Sequence, residues 1–262
     1  MFLERLLNTN EPLVSAAFDM QQHGVILPDT YILDLDMITC NAEAMKKEAD
    51  SYGIKLYFML KQLGRNPLVA KRIQEIGFEG VVCVDFREAL TMKENGIRLG
   101  NVGHLVQTPW AAMEEIVAAH PDIMTVYSVE KAKEIGKAAV RHGFVQPIML
   151  RVLGKDDDLY PGQCGGFPLE NLDAVVKEIE RIDGVHIAGV CSFPCLLPND
   201  RRKPCRADKP SQNHSPPYSL CFVAHRYIPP RDLQRLPLKA EGISDLFSCV
   251  LCLFVNTDLQ IY

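Results

Sequence analysis

The sequence predicts an α/β protein: an incomplete parallel β/α barrel of the TIM type, about six of its eight strands followed by an irregular tail. Three observations lead there. The short strands are apolar throughout instead of alternating, as strands buried on both faces of a parallel sheet are. They alternate with amphipathic helices every ~20–25 residues, which is the rhythm of a βα repeat. No Gly-x-Gly-x-x-Gly follows any strand, which weakens the dinucleotide-binding form of an open sheet.

Each unit follows in order. "TYILDLD" (Thr30–Asp36) reads as a strand, and "ITCNAEAMKKEADSYG" as an amphipathic helix stopped by Gly53. "IKLYFML" (Ile54–Leu60) is a short apolar strand, and "PLVAKRIQEIG" a helix with Pro67 in its first turn and Gly77 as its stop. "GVVCVDF" is a strand and "REALTMKENG" a helix; "GHLVQ" is a strand and "PWAAMEEIVAAH" a helix. "IMTVYS" and "VEKAKEIGKAAVRHG" repeat the pair. "PIMLRVL" is then a strand, "YPGQCGGFP" a glycine-rich loop, "LENLDAVVKEIERIDG" a helix and "VHIAGVCSFP" a strand. The expected barrel region is therefore 1–197.

Beyond Leu197 the rhythm stops. Residues 198–262 hold 8 of the 17 prolines and 4 of the 9 cysteines. Charge changes sign there as well: the tail has 9 Lys+Arg against 6 Asp+Glu, the body 19 against 27. Proline every few residues forbids helix interiors and central strands, so no further βα units are expected. The mixture of Pro, Arg, Cys and scattered aromatics does not match a disorder composition either. A basic linker, a disordered extension and a shifted reading frame are the candidate explanations. The shifted frame is preferred, and sequencing the DNA around codon 197 tests it.

Composition limits the function. Of the residues, 47% are hydrophobic and 23% charged, with a formal net charge of -5. That balance argues against nucleic acid or an anionic membrane as main partner. No stretch approaches the roughly 18 consecutive apolar residues of a membrane span. "MFLERLLNTNEPLV" carries Glu4 and Arg5 within its apolar part and lacks a cleavage pattern, so a cytoplasmic address is expected. The cysteines are expected to be reduced and no metal is expected: Cys191/Cys195 and Cys249/Cys252 lack a paired-knuckle spacing.

The chemistry centres on "YFMLKQLGRNP", where an apolar run ends on Lys61 and a Gly-Arg-Asn-Pro turn follows. A lysine ending a strand ordinarily lays its stem on apolar surface and its ammonium in water. In a parallel barrel, however, reactive groups occupy the C-terminal ends of strands. An amine held beside an apolar run is partly desolvated, and desolvation favours the neutral form. A neutral amine is what a Schiff base requires. Lys61 is thus a candidate imine-forming lysine, bonded either to substrate or to pyridoxal 5'-phosphate (PLP).

"YILDLDMITCNAEAMKKEADSYGIKLYFMLKQLGRNP" resembles the N-terminal region of alanine-racemase-like PLP-dependent proteins. There an Asp-Leu-Asp segment leads into a helix and then a strand ending on the PLP lysine. "MLKQLGRNP", "GHLVQTP" and "DDDLYPGQCGGF" look most like the YhfX-type branch. The resemblance covers 1–197 and implies a β/α barrel with Lys61 as the internal aldimine lysine. It further implies that Arg151, in "MLRVLG", faces the cofactor's ring oxygen; pairing with a carboxylate across the barrel mouth is the equal alternative. Ser192, in "GVCSFP", falls where the family often has a histidine that stacks on the pyridine, and a serine cannot stack. His104, in "NVGHLVQ", is a further cofactor-binding candidate, with a hydrogen-bonded structural role as the simpler reading. Gly162, Gly165 and Gly166 make a loop a phosphate could approach, although a connecting turn explains them as well.

The expected function is a PLP-dependent enzyme of the alanine racemase type acting on an amino acid through Lys61, impaired here if the last two strands are missing. Racemisation, which needs a second base, and decarboxylation both stay open. The alternatives are a PLP-binding or carrier protein without turnover, an aldolase-like barrel in which Lys61 binds substrate directly, and an inactive truncated product. Family members dimerise through a C-terminal β-domain that the resemblance does not reach, so a homodimer is doubtful.

Overall fold

A computed structural model describes residues 2–155, 159 and 162–192, together with the backbone of 221–225 and 248–252. A kinked helix comes first, α1 (Phe2–Gln22), where the sequence reading assigned no element. The kink has a local cause. Asn10 leaves helical geometry (φ -155, ψ 63), and its Oδ1 accepts from the Leu13 amide at 3.2 Å. Pro12 thereby falls in a first turn, where its missing N–H costs nothing.

The strand expected over Thr30–Asp36 is not there. Asp34 instead caps α2 (Leu35–Ser51), its side chain accepting from the Met37 amide at 2.8 Å. Aspartate is among the residues favoured at a helix N-cap, so Asp34 starts a helix here instead of ending a strand. Asn10 Nδ2 also donates to Asp34 Oδ2 at 2.8 Å, which ties α1 to the start of α2.

The βα series follows: β1 (Leu56–Tyr57), α3 (Pro67–Ile76), β2 (Val81–Cys83), α4 (Phe86–Glu94), β3 (Leu99–Val102) and α5 (Trp110–Val117). Then come β4 (Ile123–Val126), α6 (Val129–Arg141), β5 (Gln146–Leu153), β6 (Phe167–Pro168), α7 (Leu172–Ile179) and β7 (Val185–Cys191). "GHLVQ" is a correction: the strand is the preceding "LGNV", and residues 103–107 form the loop after it. Gly100 lies inside that strand. It has to be glycine: a Cβ there would stand 2.3 Å from the Tyr57 ring.

The strands pair in parallel in the order β2-β3-β4-β5-β7, with the short β6 also on β5 and a bridge from Phe58 to Val81 joining β1 to β2. This is the parallel β/α arrangement the sequence predicts. Within 198–262, for which the sequence suggests no regular element, the described backbone holds β8 (Cys221–His225) and β9 (Ser248–Cys252). β9 runs parallel to β1, with Leu56 opposite Cys249, and β8 pairs antiparallel to β9.

Alternate strand residues divide between two layers. Leu56, Phe58, Leu60, Val81, Cys83, Met124, Val126, Ile148 and Leu150 join the main core with Ile73, Met92, Ile116 and Ile135 of the helices. Met59, Val82, Asn101, Thr125, Met149, Arg151 and Cys191 are as deeply buried but stand outside that cluster, on the opposite face of the sheet. That second face is the barrel interior, and it carries polar groups toward its C-terminal end.

Candidate functional site

Three groups of residues meet along the C-terminal ends of the strands. The first surrounds Lys61. Lys61 opens a single 3-10 turn (Lys61–Leu63) directly after the apolar run, and its side chain is half-buried. Gly64 (φ 68) and Arg65 (φ 55) then turn the chain through left-handed conformations. Asn66 caps α3 by accepting from the Leu68 amide at 2.9 Å, with Pro67 in the first turn. "GRNP" is therefore part of the reversal into α3, and Lys61 opens the turn that follows β1 (Leu56–Tyr57) and the Phe58 bridge.

The second group lies after β2. Asp85 caps α4, accepting from the Glu88 amide at 3.0 Å. The Glu88 side chain is fully buried; its Oε2 accepts from the Val84 amide at 2.8 Å. Among the described residues, Glu88 Oε1 has no hydrogen-bond partner. Arg65 spans both acids, with Nη2 3.4 Å from Asp85 Oδ2 and Nε 3.7 Å from Glu88 Oε2. Burial pushes the Glu88 carboxyl up to about 7. The Val84 amide and the Arg65 charge oppose that rise, Asp85 adds to it, and the Lys61 charge opposes it in smaller measure. Burial likewise pushes the Cys83 thiol up, with Glu88 and Asp85 reinforcing it.

The third group joins β3, β4 and β5. Gln107 Nε2 donates to the carbonyls of Gly103 (2.8 Å) and Thr125 (2.9 Å), and its Oε1 accepts from the Tyr127 amide at 3.3 Å. The Tyr127 hydroxyl donates to the His104 carbonyl and accepts from Arg151 Nη1 at 2.8 Å. Arg151 Nη2 donates to the Gln163 carbonyl at 2.7 Å, and its guanidinium carbon lies 4.9 Å from the Tyr127 ring centre. Burial raises the Tyr127 phenol, against the Arg151 hydrogen bond and charge. The glycine loop presses on this pair: a Cβ on Gly165 would stand 2.6 Å from the Tyr127 ring, and one on Gly166 2.9 Å from the Arg151 carbonyl.

The residues singled out from sequence fall at four strand ends. Lys61 follows β1 and His104 follows β3; Arg151 lies on β5, in register with Cys191, and the half-buried Ser192 follows β7. Tyr127 joins the buried His104 to the buried Arg151, while Arg65, on the same reversal as Lys61, contacts Asp85 and Glu88. Tyr127, Gln107 and Glu88 were not singled out. A tyrosine just past "IMTV" and a glutamate on the inner side of a helix were the available signals; neither differs from ordinary surface usage in a sequence.

The four described cysteines, Cys40, Cys83, Cys164 and Cys191, carry no disulfide. Among the described residues no group of three or more His, Cys, Asp or Glu is placed to hold a metal ion. Cys195 and the side chains of Cys249 and Cys252 lie outside the described residues. No described helix is long and apolar enough to cross a membrane.

Residues 33–212 match the family model of the alanine racemase N-terminal domain. The chain is 43% identical over 197 residues to the uncharacterized protein YhfX of Escherichia coli (strain K12), covering 75% of this chain and 51% of that one. It thus spans about half the length of that curated relative. Among solved structures, D-threonine aldolase from Filomicrobium marinum superposes with a TM-score of 0.50 at 21% identity, over 61% of this chain and 42% of the other. Alanine racemase of Clostridium difficile 630 in complex with cycloserine gives 0.49 at 22% identity, over 61% and 42%. At such identities the likeness to the aldolase speaks for the fold alone. With the family model covering well over half of its length, the chain belongs to the alanine racemase family, YhfX-type branch.

Proposed function

We propose that the chain is a PLP-dependent enzyme of the alanine racemase type acting on an amino acid, with Lys61 as the residue that holds the cofactor covalently. The observation that carries this reading is the position of Lys61, half-buried in the 3-10 turn that follows the first strand of the series. That rim is where barrels of this kind place their reactive groups. The donor set fits the cofactor. A primary amine suits its aldehyde, and the buried Arg151 guanidinium supplies a fixed cation for an oxyanion. When bound, PLP acts as an electron sink for charge developing beside the amine it holds.

The chain's own residues supply the setting. Tyr127 and the Gln163 carbonyl fix the Arg151 fork in one orientation. Gln107 ties the loop after β3 to β4, so the rim is held by side chains and not by strand pairing alone. The loops after the seventh and eighth barrel strands, where such barrels hold phosphate, lie outside the described residues.

The test is spectroscopic. Purified protein incubated with PLP is expected to absorb at roughly 410–430 nm, with the band lost on borohydride treatment. Lys61→Ala is expected to abolish the band without unfolding the protein. Folded wild-type protein that never develops it would refute the reading.

A second reading, a PLP-binding protein without turnover, is favoured by one observation. The Tyr127 hydroxyl and the Arg151 guanidinium are already engaged with each other and with main-chain carbonyls. Incubation with alanine, serine or ornithine followed by chiral analysis separates the two readings.

A further inference from the structure

We propose that Arg65 is the positioning residue for the turn that carries Lys61: its guanidinium clasps Asp85 and Glu88 of the next βα unit and so holds that turn closed. The catalytic meaning of the clasp rests on the proposed role of Lys61; the clasp itself does not.

The turn closes on one carbonyl. The Leu60 carbonyl accepts from the Leu63 amide at 2.9 Å and from the Arg65 amide at 3.0 Å. Lys61 is the first residue inside the ring these bonds make. Buried Leu60 and Leu63 fasten one side of the ring to the core. The other side, the exposed Gly64 and half-buried Arg65, lies outside the core and needs a different tether.

Arginine is an unexpected residue at that corner, where the backbone is left-handed, with φ 55 at Arg65. Asp29 and His120, the other described non-glycine residues with positive φ, are of types enriched in that region, and arginine is not. Glycine would adopt the conformation without strain, so the path of the chain alone gives no reason for arginine. The side chain does. Nη2 donates to Asp85 Oδ2 at 3.4 Å, and Nε lies 3.7 Å from Glu88 Oε2. Both acids are themselves fixed: Asp85 Oδ1 accepts from the Glu88 amide at 3.0 Å, and Glu88 Oε2 from the Val84 amide at 2.8 Å. Arg65 therefore ties the Leu60 carbonyl, through its own amide, to the first turn of α4.

Stability is a weak reason for such a contact. The Arg65 side chain is 42% exposed, and solvent-screened ion pairs add little to folding. What a two-point clasp supplies is position, and a small displacement of a reacting group carries a large rate penalty. Backbone strain held in place by surrounding contacts is a mark of functional turns.

In the first arm of the test, hydrogen exchange is followed at the amides of residues 63 and 65 in the full chain without cofactor. Arg65→Asn keeps a residue that tolerates left-handed backbone and removes the guanidinium. It is expected to speed exchange at both amides about tenfold, with the Val82 amide, bonded to the Phe58 carbonyl, unchanged. Asp85→Asn keeps a helix cap. It is expected to speed the same amides, but to add nothing in the Arg65→Asn background, where the contact is already gone. In the second arm, PLP is titrated into the same proteins. Arg65→Asn is expected to weaken formation of the borohydride-sensitive band about tenfold, with Arg65→Lys intermediate and the cofactor-free urea midpoint near wild type. Unchanged exchange in Arg65→Asn, or additive acceleration in the double variant, overturns the clasp. Accelerated exchange with unchanged PLP affinity, or affinity and urea midpoint falling together, overturns the positioning role. Should Arg65→Asn not fold, Asp85→Asn carries both arms. A wild type that never develops the band overturns the anchoring role of Lys61, and the exchange arm then decides the clasp.

Discussion

Raising the pH through neutrality is expected to destabilise this fold through one carboxyl. Glu88 is pushed up from 4.5 to about 7 on folding, chiefly by burial. The folded chain therefore binds that proton more tightly than the unfolded chain. Below about pH 4.5 both states are protonated and the group contributes nothing; above about pH 7 both are ionised and the full cost is present. A difference of about 2.5 units corresponds to about 3 kcal/mol. Urea unfolding of wild type and Glu88→Gln at about pH 5, 6, 7 and 8 measures it, because subtracting the two cancels other groups. The wild type is expected to lose about 2.5 kcal/mol relative to the variant across the series, the first part of the cost being already present at pH 5. A difference that stays flat would refute the assignment of a carboxyl raised by burial at this position.

Other perturbations test the frame. Gly100→Ala places a Cβ 2.3 Å from the Tyr57 ring, and is expected to cost about 1–3 kcal/mol in thermal or urea unfolding. Phe58→Ala empties a fully buried site that packs edge-on against Phe78 (6.2 Å between ring centres), at an expected cost of about 3–5 kcal/mol. Asp34→Ala removes the α2 cap and the Asn10 contact, so hydrogen exchange at Met37 is expected to accelerate, with about 1 kcal/mol lost overall. Tyr57→Phe removes a 3.2 Å hydrogen bond to Asp122 and is expected to cost about 1 kcal/mol. The wild-type Tyr57 phenol, pushed up to about 12 by burial and by the Asp122 charge, should be the late-titrating tyrosine missing from that variant.

Local pattern was enough for some features and not for others. The short apolar strands and their helical intervals carried the parallel β/α order, because burial on both faces leaves a mark at every strand position. The reversal into α3 was readable because an apolar run and a Gly-Arg-Asn-Pro turn, with Pro67 in the helix's first turn, are adjacent in the chain. Thr30–Asp36 was misread because an apolar–polar stretch is ambiguous until Asp34 is seen bonding the Met37 amide. "GHLVQ" was misread because the preceding "LGNV" carries a glycine and an asparagine, while in the fold Gly100 lies against the Tyr57 ring and Asn101 is buried.

The amino-acid order thus specified the alternation of elements and, through the motifs it shares with the alanine racemase family, the family membership. It could not specify that Tyr127 bridges His104 and Arg151, or that Glu88 stands against Arg65. Those groups come from different βα units, and only the packing of the units around one interior brings them within a few ångströms. The charge a carboxyl carries depends on that enclosure, and enclosure is a property of the folded chain.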